Sequence, residues 1–402
     1  MFQASRRSLT RVSSRALGGI CLISFGTATY YRPLPLPDDA DEEDSSTRTT
    51  CTINIPNRKE ATFCSENAPI LFNRDETPFF LALSQRLSIG LTTVLIRLFM
   101  NTYGEYHITN DEHYHHFLTL VLGGDGRKEN HQSLITVSNH RSLFDDPGIV
   151  SCLLPLWIGI QPKYNRWGIC SQEYCFSNKL PAILKGYIGA GQVLPIQRGA
   201  GINQSLFRDF ASLVARGEWC HIFPEGGVWQ WNELGGRGRF DIMESEARHL
   251  QTSKLKWGIG KLVAHAPTRP RVVPFAHAGM ENLLPQDPMT RKTHVKKNII
   301  GGDPLKVHIQ FGQELYFDDL IQEHESKHGK LWVYEHEHDR EREREREREH
   351  GKEEGISKDG MGGKHFISSK LEKELYRKIA LRIQNHLESL TKNVVLVKEG
   401  NE

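Results

Sequence analysis

The sequence predicts an α/β domain built on a single mixed, largely parallel sheet flanked by helices, with a membrane-interfacial helix ahead of it. Three observations predict it. Leu134-Ile135-Thr136-Val137-Ser138 and Val307-His308-Ile309-Gln310-Phe311 have the β-branched, apolar content of buried strands. Helical stretches such as that from about Gln204 to Arg216 lie between the strand candidates, and strands alternating with helices favour parallel pairing. Upstream, Phe79 to Met100 is almost wholly apolar.

In chain order, Met1 to Pro37 holds five arginines (Arg6, Arg7, Arg11, Arg15 and Arg32), several serines and no acid, the composition of a mitochondrial targeting segment. Within it, Ala16 to Tyr31 is uncharged but shorter than the roughly 20 residues a spanning helix needs. A cleaved presequence, a short anchor and an ER signal are the readings, in that order. Residues 38–65 then invert the charge at Asp38, Asp39, Asp41, Glu42, Glu43 and Asp44 and read as a solvated acidic and polar linker. Residues 66–402 are expected to form one domain.

In Phe79 to Met100, Arg86 and Arg97 are eleven residues apart, close to three helical turns, so a helix carries both on one face. Phe79, Leu83, Leu87, Leu91, Leu95 and Leu98 cover the other side. That pattern suits a helix lying in a bilayer interface with its arginines reaching phosphate headgroups, and equally describes a core helix with two surface arginines.

The strand at Leu134–Ser138 runs into Asn139-His140-Arg141-Ser142-Leu143-Phe144-Asp145-Asp146-Pro147. Two acids and a proline suit the first turn of a helix, so His140 and Asp145 are predicted at a strand-to-helix junction. Further strands are read at Gln192–Ile196, Cys220–Phe223 and Val272–Phe275. The Arg/Glu alternation from Arg340 to Glu349 and the glycines after it make 335–366 a disordered insert in this reading. A last helix, capped by Ser368 or Ser369, carries Leu371, Leu375, Ile379, Ile383, Leu387 and Leu390 on one stripe.

Composition narrows the function classes. A net charge of +2, with no long basic patch, argues against a nucleic-acid partner. A hydrophobic content of 38% and a mean hydropathy of −0.48 argue against a bundle of spanning helices. The seven cysteines (21, 51, 64, 152, 170, 175 and 220) lack paired C-x-x-C spacing, so free buried thiols are expected and neither a disulfide framework nor a zinc site. His113, His115 and His116 have no distant metal-ligand partners in the sequence and read as a solvated loop; no metal is expected.

The chemistry centres on His140 and Asp145. Acyl transfer to an alcohol needs a base for the hydroxyl proton and a group that fixes that base's tautomer. If Asp145 turns back onto one imidazole nitrogen, the other is free to act, and no serine or cysteine nucleophile is required. Downstream, Gly191 to Gly199 contains Arg198, a charged fork suited to phosphate. Phe223-Pro224-Glu225-Gly226-Gly227 presents Glu225 on a turn whose glycines permit close backbone approach, and Val273-Pro274-Phe275 follows in a later strand. His277, near that strand's end, reads as structural.

Taken in order, these blocks resemble those of the glycerolipid acyltransferase superfamily: NH-x4-D, G-x-x-x-x-I-x-R, FPEG and VP, over about Ser138 to Phe317. The resemblance implies that superfamily's fold, His140 as general base, Asp145 as its orienter, and Asn139, Arg198, Glu225 and Gly226 as substrate-binding residues. Gly227-Val228-Trp229 departs from the Thr-Arg-Ser that follows FPEG in most lysophosphatidic acid acyltransferases. Leu255-Lys256-Trp257-Gly258-Ile259-Gly260-Lys261 and His277-Ala278-Gly279-Met280-Glu281-Asn282-Leu283-Leu284-Pro285 are instead similar to the cardiolipin-remodelling transacylases of mitochondria. That narrower resemblance implies CoA-independent transfer of an acyl chain from a phospholipid such as phosphatidylcholine to monolysocardiolipin, with no cofactor. It also implies peripheral attachment to a mitochondrial membrane, facing the intermembrane space. The alternative is an acyl-CoA-dependent lysophospholipid or glycerol-3-phosphate acyltransferase. Trp229 to Thr252 is longer than the compact segment such enzymes carry there and reads as a surface insert.

Overall fold

The computed structural model of the chain describes residues 79–109, 111–228, 230, 255–286, 293–294, 304–334 and 367–400. The expected targeting segment, the acidic linker, most of the 229–252 stretch and the 335–366 insert lie outside the described residues. Those that are described divide into two compact units. Of the described residues, the first holds those of 79–90 and Gly168–Asp209, and the second holds Leu91–Trp167 and those from Phe210 to Gly400.

The second unit carries the main sheet. Its strands are β1 (Gly104–Ile108), β2 (Leu134–Ser138), β5 (Trp219–Ile222), β6 (Arg271–Ala278) and β7 (Leu305–Phe311), in the order β1-β7-β6-β2-β5. The first unit contributes β3 (Gly168–Ser171) and β4 (Val193–Ile196), which pair parallel in a separate two-stranded sheet. The sheet is therefore mixed and mostly parallel as predicted, but the strand at 192–196 belongs to a second one. In the main sheet β6, β2 and β5 run parallel, β1 and β7 run parallel to each other, and the β6–β7 pair is antiparallel. All five residues of β2 are buried, as suits a strand paired on both sides, between β6 and β5, in a sheet covered on both faces.

Helices close the faces of this unit. Helix α2 (Glu112–Leu122) starts at Asp111, whose carboxylate accepts the Tyr114 N–H at 3.0 Å. The histidines of 113–116 thus lie on a helix and not in a loop, and His116 faces Glu314 at 2.7 Å and Asp125 at 3.3 Å. Phe117 of α2 stacks on Phe311 at 4.4 Å and meets Trp219 edge-on at 5.4 Å, joining α2 to β7 and β5. Burying such a side chain contributes roughly 1.5–3 kcal/mol.

Helices α3 (Ala182–Ala190) and α4 (Ser205–Ala215) follow β3 and β4 in the chain, and after α5 (Gly258–Ala264) and α6 (Asp318–His328) the described part ends in α7 (Lys370–Gly400). Ser369 and Glu372 form a capping box, the Ser369 hydroxyl accepting the Glu372 N–H while the Glu372 carboxylate accepts that of Ser369. Of the predicted stripe, Leu375, Ile379, Ile383 and Leu387 are buried, while Leu371 is exposed. Helix α5 crosses α7 so closely that a Cβ on Gly260 would stand 2.5 Å from the Tyr376 Cα and carbonyl oxygen.

Helix α1 (Phe79–Tyr103) confirms the helical reading of the apolar stretch but not the shared orientation of its arginines. Arg86 is exposed. Arg97 instead donates to the carbonyls of Ser151 at 2.9 Å and Cys152 at 3.4 Å, and to that of Leu154, closing the end of the helical turn Val150–Leu153. Carbonyls left over at a helix end need donors, and an arginine fork supplies several at once. No helix among the described residues is long and apolar enough to cross a membrane.

The cysteine expectation is corrected in part. Cys152 and Cys220 are free and buried, and burial raises the thiol of Cys152 to about 11. Cys170 and Cys175, by contrast, are joined in a disulfide in the first unit, their Cα atoms 6.1 Å apart. Five residues apart, they are brought together because β3 turns directly into a short helical turn, Gln172–Cys175, a geometry that spacing alone does not reveal.

Candidate active site

Because β6, β2 and β5 are parallel neighbours, their carboxyl ends open on one edge of the sheet. The residues at or just beyond those ends are Asn139 and His140 after β2, Phe223 to Gly226 after β5, and His277 and Ala278 at the end of β6 with Gly279 after it. Ligand sites of parallel sheets form at such edges, since loops from adjacent strands converge there.

The loop after β2 is folded by Asp145. Its Oδ2 accepts the N–H of Arg141 at 2.6 Å and that of Ser142 at 2.8 Å, and lies 2.9 Å from His140 Nδ1. A carboxylate placed five residues after the histidine therefore organises the loop and orients the imidazole with the same oxygen. The helix opening predicted after it is a single turn, Asp145–Gly148, interrupted by a cis Asp146–Pro147 peptide, with Asp146 paired to Arg166. Asp145 is fully buried. Burial alone pushes its carboxyl up, but the histidines beside it and the N–H groups it accepts outweigh this and leave it below the usual carboxylate value. An ionised Asp145 requires the hydrogen on His140 Nδ1, which leaves Nε2 as the acceptor. Among the described residues Nε2 has no hydrogen-bond partner, and the side chain is 17% exposed.

Two further elements hold the imidazole. Phe223 stacks on it, with ring centroids 4.1 Å apart and planes 16° from parallel. Glu225, buried in the turn after β5, accepts the His140 main-chain N–H at 2.9 Å. Gly226 beside it has φ +72°, and a Cβ there would press within 2.9 Å of the Lys256 side chain, so this turn needs glycine. The Lys256 N–H also donates to Pro224 at 2.7 Å, tying the segment before α5 to the same turn.

Below the loop lies a row of buried polar groups. Trp219 Nε1, a donor only, reaches Thr136 Oγ1 at 2.9 Å, and Thr136 Oγ1 is 2.9 Å from His221 Nδ1. His221 Nε2 lies 3.5 Å from Ser138 Oγ, which donates to the Asn139 carbonyl at 3.2 Å. Burial, with Arg166 and two histidines nearby, lowers His221 to about 3, so it is neutral.

His140, Asp145, Asn139, Glu225 and Gly226 thus come together in the second unit. Asn139, read from the sequence as substrate-binding, is buried with its amide engaged on both sides: Nδ2 donates to His277 O at 2.8 Å and Oδ1 accepts the His277 N–H at 3.0 Å. Its amide extends the β2–β6 pairing by one rung, which leaves it bracing the loop. Arg198 lies in the first unit, exposed beyond β4, with its guanidinium 5.0 Å from the Tyr174 ring. Arg97 braces carbonyls as described above. What the residue pattern missed is the support: the Phe223 stack, the His221 row and the His277 contacts. Phe223 and His277 stand in the quoted motifs, but spacing carries no signal of which ring each would face.

Residues 120–278 match the Acyltransferase family model. The chain is 30% identical over 235 residues to a tafazzin of Drosophila melanogaster, covering 58% of this chain and 54% of the relative. It is 29% identical over 179 residues to an N-acylphosphatidylethanolamine synthase of Arabidopsis thaliana, covering 43% and 56%. To a tafazzin of Saccharomyces cerevisiae it is 26% identical over 257 residues, covering 54% and 59%. The chain spans a little over half the length of the curated relatives it matches. The chain is therefore similar to the Acyltransferase family over residues 120–278, and to tafazzins over a little more than half of its length.

Proposed function

We propose that this chain is a CoA-independent phospholipid–lysophospholipid transacylase that moves an acyl chain from a phospholipid such as phosphatidylcholine to monolysocardiolipin. The observation that carries the reading is the His140–Asp145 contact of 2.9 Å, with Nε2 of His140 left unpartnered among the described residues. In the proposed step, Nε2 takes the proton of the acceptor hydroxyl as that oxygen attacks the donor's ester carbonyl. Asp145 steadies the imidazolium. The tetrahedral intermediate then collapses, the donor's glycerol oxygen leaves, and it takes the proton back from His140. Donor becomes lysophospholipid, acceptor becomes acylated, and the enzyme returns unchanged without a covalent acyl-enzyme or a soluble cofactor.

Substrate binding in this reading falls to Glu225 and Gly226 at the turn and to Arg198 for phosphate, each supported by its place in the motif order. A membrane surface as partner is supported by exposed apolar side chains of the second unit. Leu143 of the His140–Asp145 loop is 51% exposed and Trp157 68%, with Leu156, Ile160, Val94, Leu95 and Leu98 also exposed. The composition of residues 1–37 supports attachment at a mitochondrial membrane, and we place the protein peripherally on the face toward the intermembrane space.

The similarity to an N-acylphosphatidylethanolamine synthase favours one second reading, an amine as acyl acceptor. Purified full chain given labelled phosphatidylcholine and either monolysocardiolipin or phosphatidylethanolamine, with and without acyl-CoA, separates these readings. Transfer to monolysocardiolipin without acyl-CoA, lost in His140→Ala, is the expected result. Transfer only with acyl-CoA, or only to the amine, overturns it.

A further inference from the structure

Three hydrogen bonds join His277 to Asn139, the residue immediately before the proposed base. Two are the amide contacts already described. In the third, His277 Nε2 lies 3.0 Å from the Asn139 carbonyl. The same Nε2 is 3.6 Å from Asp145 Oδ2, the oxygen that faces His140 Nδ1. Both neighbours of Nε2 are acceptors, so that nitrogen carries the hydrogen. Nδ1 is buried and has no hydrogen-bond partner among the described residues, so a second proton there would be an unpaired buried donor. His277 is wholly buried on the last part of β6, with Asp145, Glu281 and Arg141 as the charged groups around it and His221 as a further titratable neighbour. Burial lowers its pKa, in keeping with a neutral ring.

We infer that His277 is a positioning residue of the acyl-transfer centre: its neutral Nε2–H locks the Asn139–His140 loop to β6 and turns a fixed dipole toward the Asp145 carboxylate. The loop contact sets where His140 stands. The dipole sets how strongly Asp145 holds the imidazolium, because a carboxylate that already faces a donor is a weaker proton partner. A neutral donor does this without adding a full positive charge beside the proton that His140 must accept and return.

This inference rests on the proposed function for its kinetic consequence, but its electrostatic consequence can be read without substrate. The full chain is compared with His277→Ala, His277→Leu and His277→Gln; an amide at the end of the Gln side chain can reach the position of the imidazole Nε2. With phosphatidylcholine vesicles and monolysocardiolipin, the Ala and Leu variants are expected to lose kcat by about 10- to 100-fold with KM nearly unchanged. The acid limb of the pH–rate profile should move up by roughly half a pH unit. His277→Gln should recover most of both. In parallel, the His140 Cε1 proton followed by NMR should titrate at higher pH in the Ala and Leu variants and return toward wild type in Gln. Loss of rate in proportion to loss of folded protein, with the NMR titration and pH profile unmoved, would overturn the inference. So would a variant in which KM alone rises. Absence of acyl transfer by the wild type, with the NMR shifts as expected, would instead sink the functional reading and leave the positioning role standing.

Discussion

The ring of Phe223 lies against that of His140 at 4.1 Å, so that the turn after β5 supplies the platform on which the proposed base rests. A stacked neighbour restricts the imidazole's rotation while its two edges stay free for Asp145 and for substrate. Phe223→Leu keeps the apolar volume and removes the flat surface. We expect kcat to fall by about tenfold to a hundredfold, with thermal stability changed little, since misplacing a reacting group by about 1 Å has this scale of effect. A transacylation assay beside a melting curve checks this, and unaltered kcat would show that the stack has no role.

Asp145→Asn retains an oxygen for the Arg141 and Ser142 N–H groups but lacks the charge that holds the hydrogen on His140 Nδ1. The expected loss in kcat is on the order of 10³- to 10⁴-fold with the fold intact, as for the analogous change in a Ser-His-Asp triad. Circular dichroism together with single-turnover transfer distinguishes this from unfolding.

Arg86 and Arg97 should behave differently although one helix carries both. Arg97→Ala leaves the carbonyls of Ser151, Cys152 and Leu154 without their donor and should cost about 1–3 kcal/mol of stability. Arg86→Ala should leave stability unchanged and weaken binding to anionic vesicles. Denaturant melts and vesicle co-sedimentation of the two variants give the answer; equal effects in both assays would refute the division.

At Gly260 an added methyl meets main-chain atoms of Tyr376 at 2.5 Å. Alanine gains about 1 kcal/mol in helix propensity. Forcing α5 and α7 apart costs about 1–3 kcal/mol or more, because the obstruction is backbone and cannot rotate away. The prediction for Gly260→Ala is a net fall in Tm, read by calorimetry.

Stability should decline in mild acid. Burial lowers His221 to about 3 and His265 to about 4. In the unfolded chain both take a proton near 6.5. Between those limits the unfolded state binds more protons, so stability falls as pH drops below about 6.5, by about 1.4 kcal/mol per pH unit for each group, and is unaffected above it. Urea midpoints at pH 7.5, 6.0 and 5.0 test the slope, which should be shallower in a folded His221→Gln variant.

Much of the candidate site was legible in the residues. A histidine and an aspartate five apart, at the end of a β-branched run, are local enough that the intervening loop alone can close them, and it does. The order of the Arg198, Glu225 and Val273-Pro274 blocks carried the chemistry further. Arg97 was less legible, because helical periodicity gives an arginine a face but not a partner. Its partners are carbonyls more than fifty residues away. The disulfide and the second sheet were missed for the same kind of reason: Cys170–Cys175 and β3–β4 depend on the direction the chain takes between them.

The sequence by itself determined the mixed α/β class, the strand that delivers His140, the Asp145 that orients it, and the capped final helix. Each follows from propensity, periodicity or contacts within a few residues. Only the tertiary structure decided that β6, β2 and β5 stand side by side with their carboxyl ends together, and so that Phe223, Glu225 and His277 close around the pair. Strand neighbours in a parallel sheet are joined by long crossovers, and no local spacing records which ends will meet. His140 and Asp145 could be named from the chain alone, but the groups that hold them in place could not.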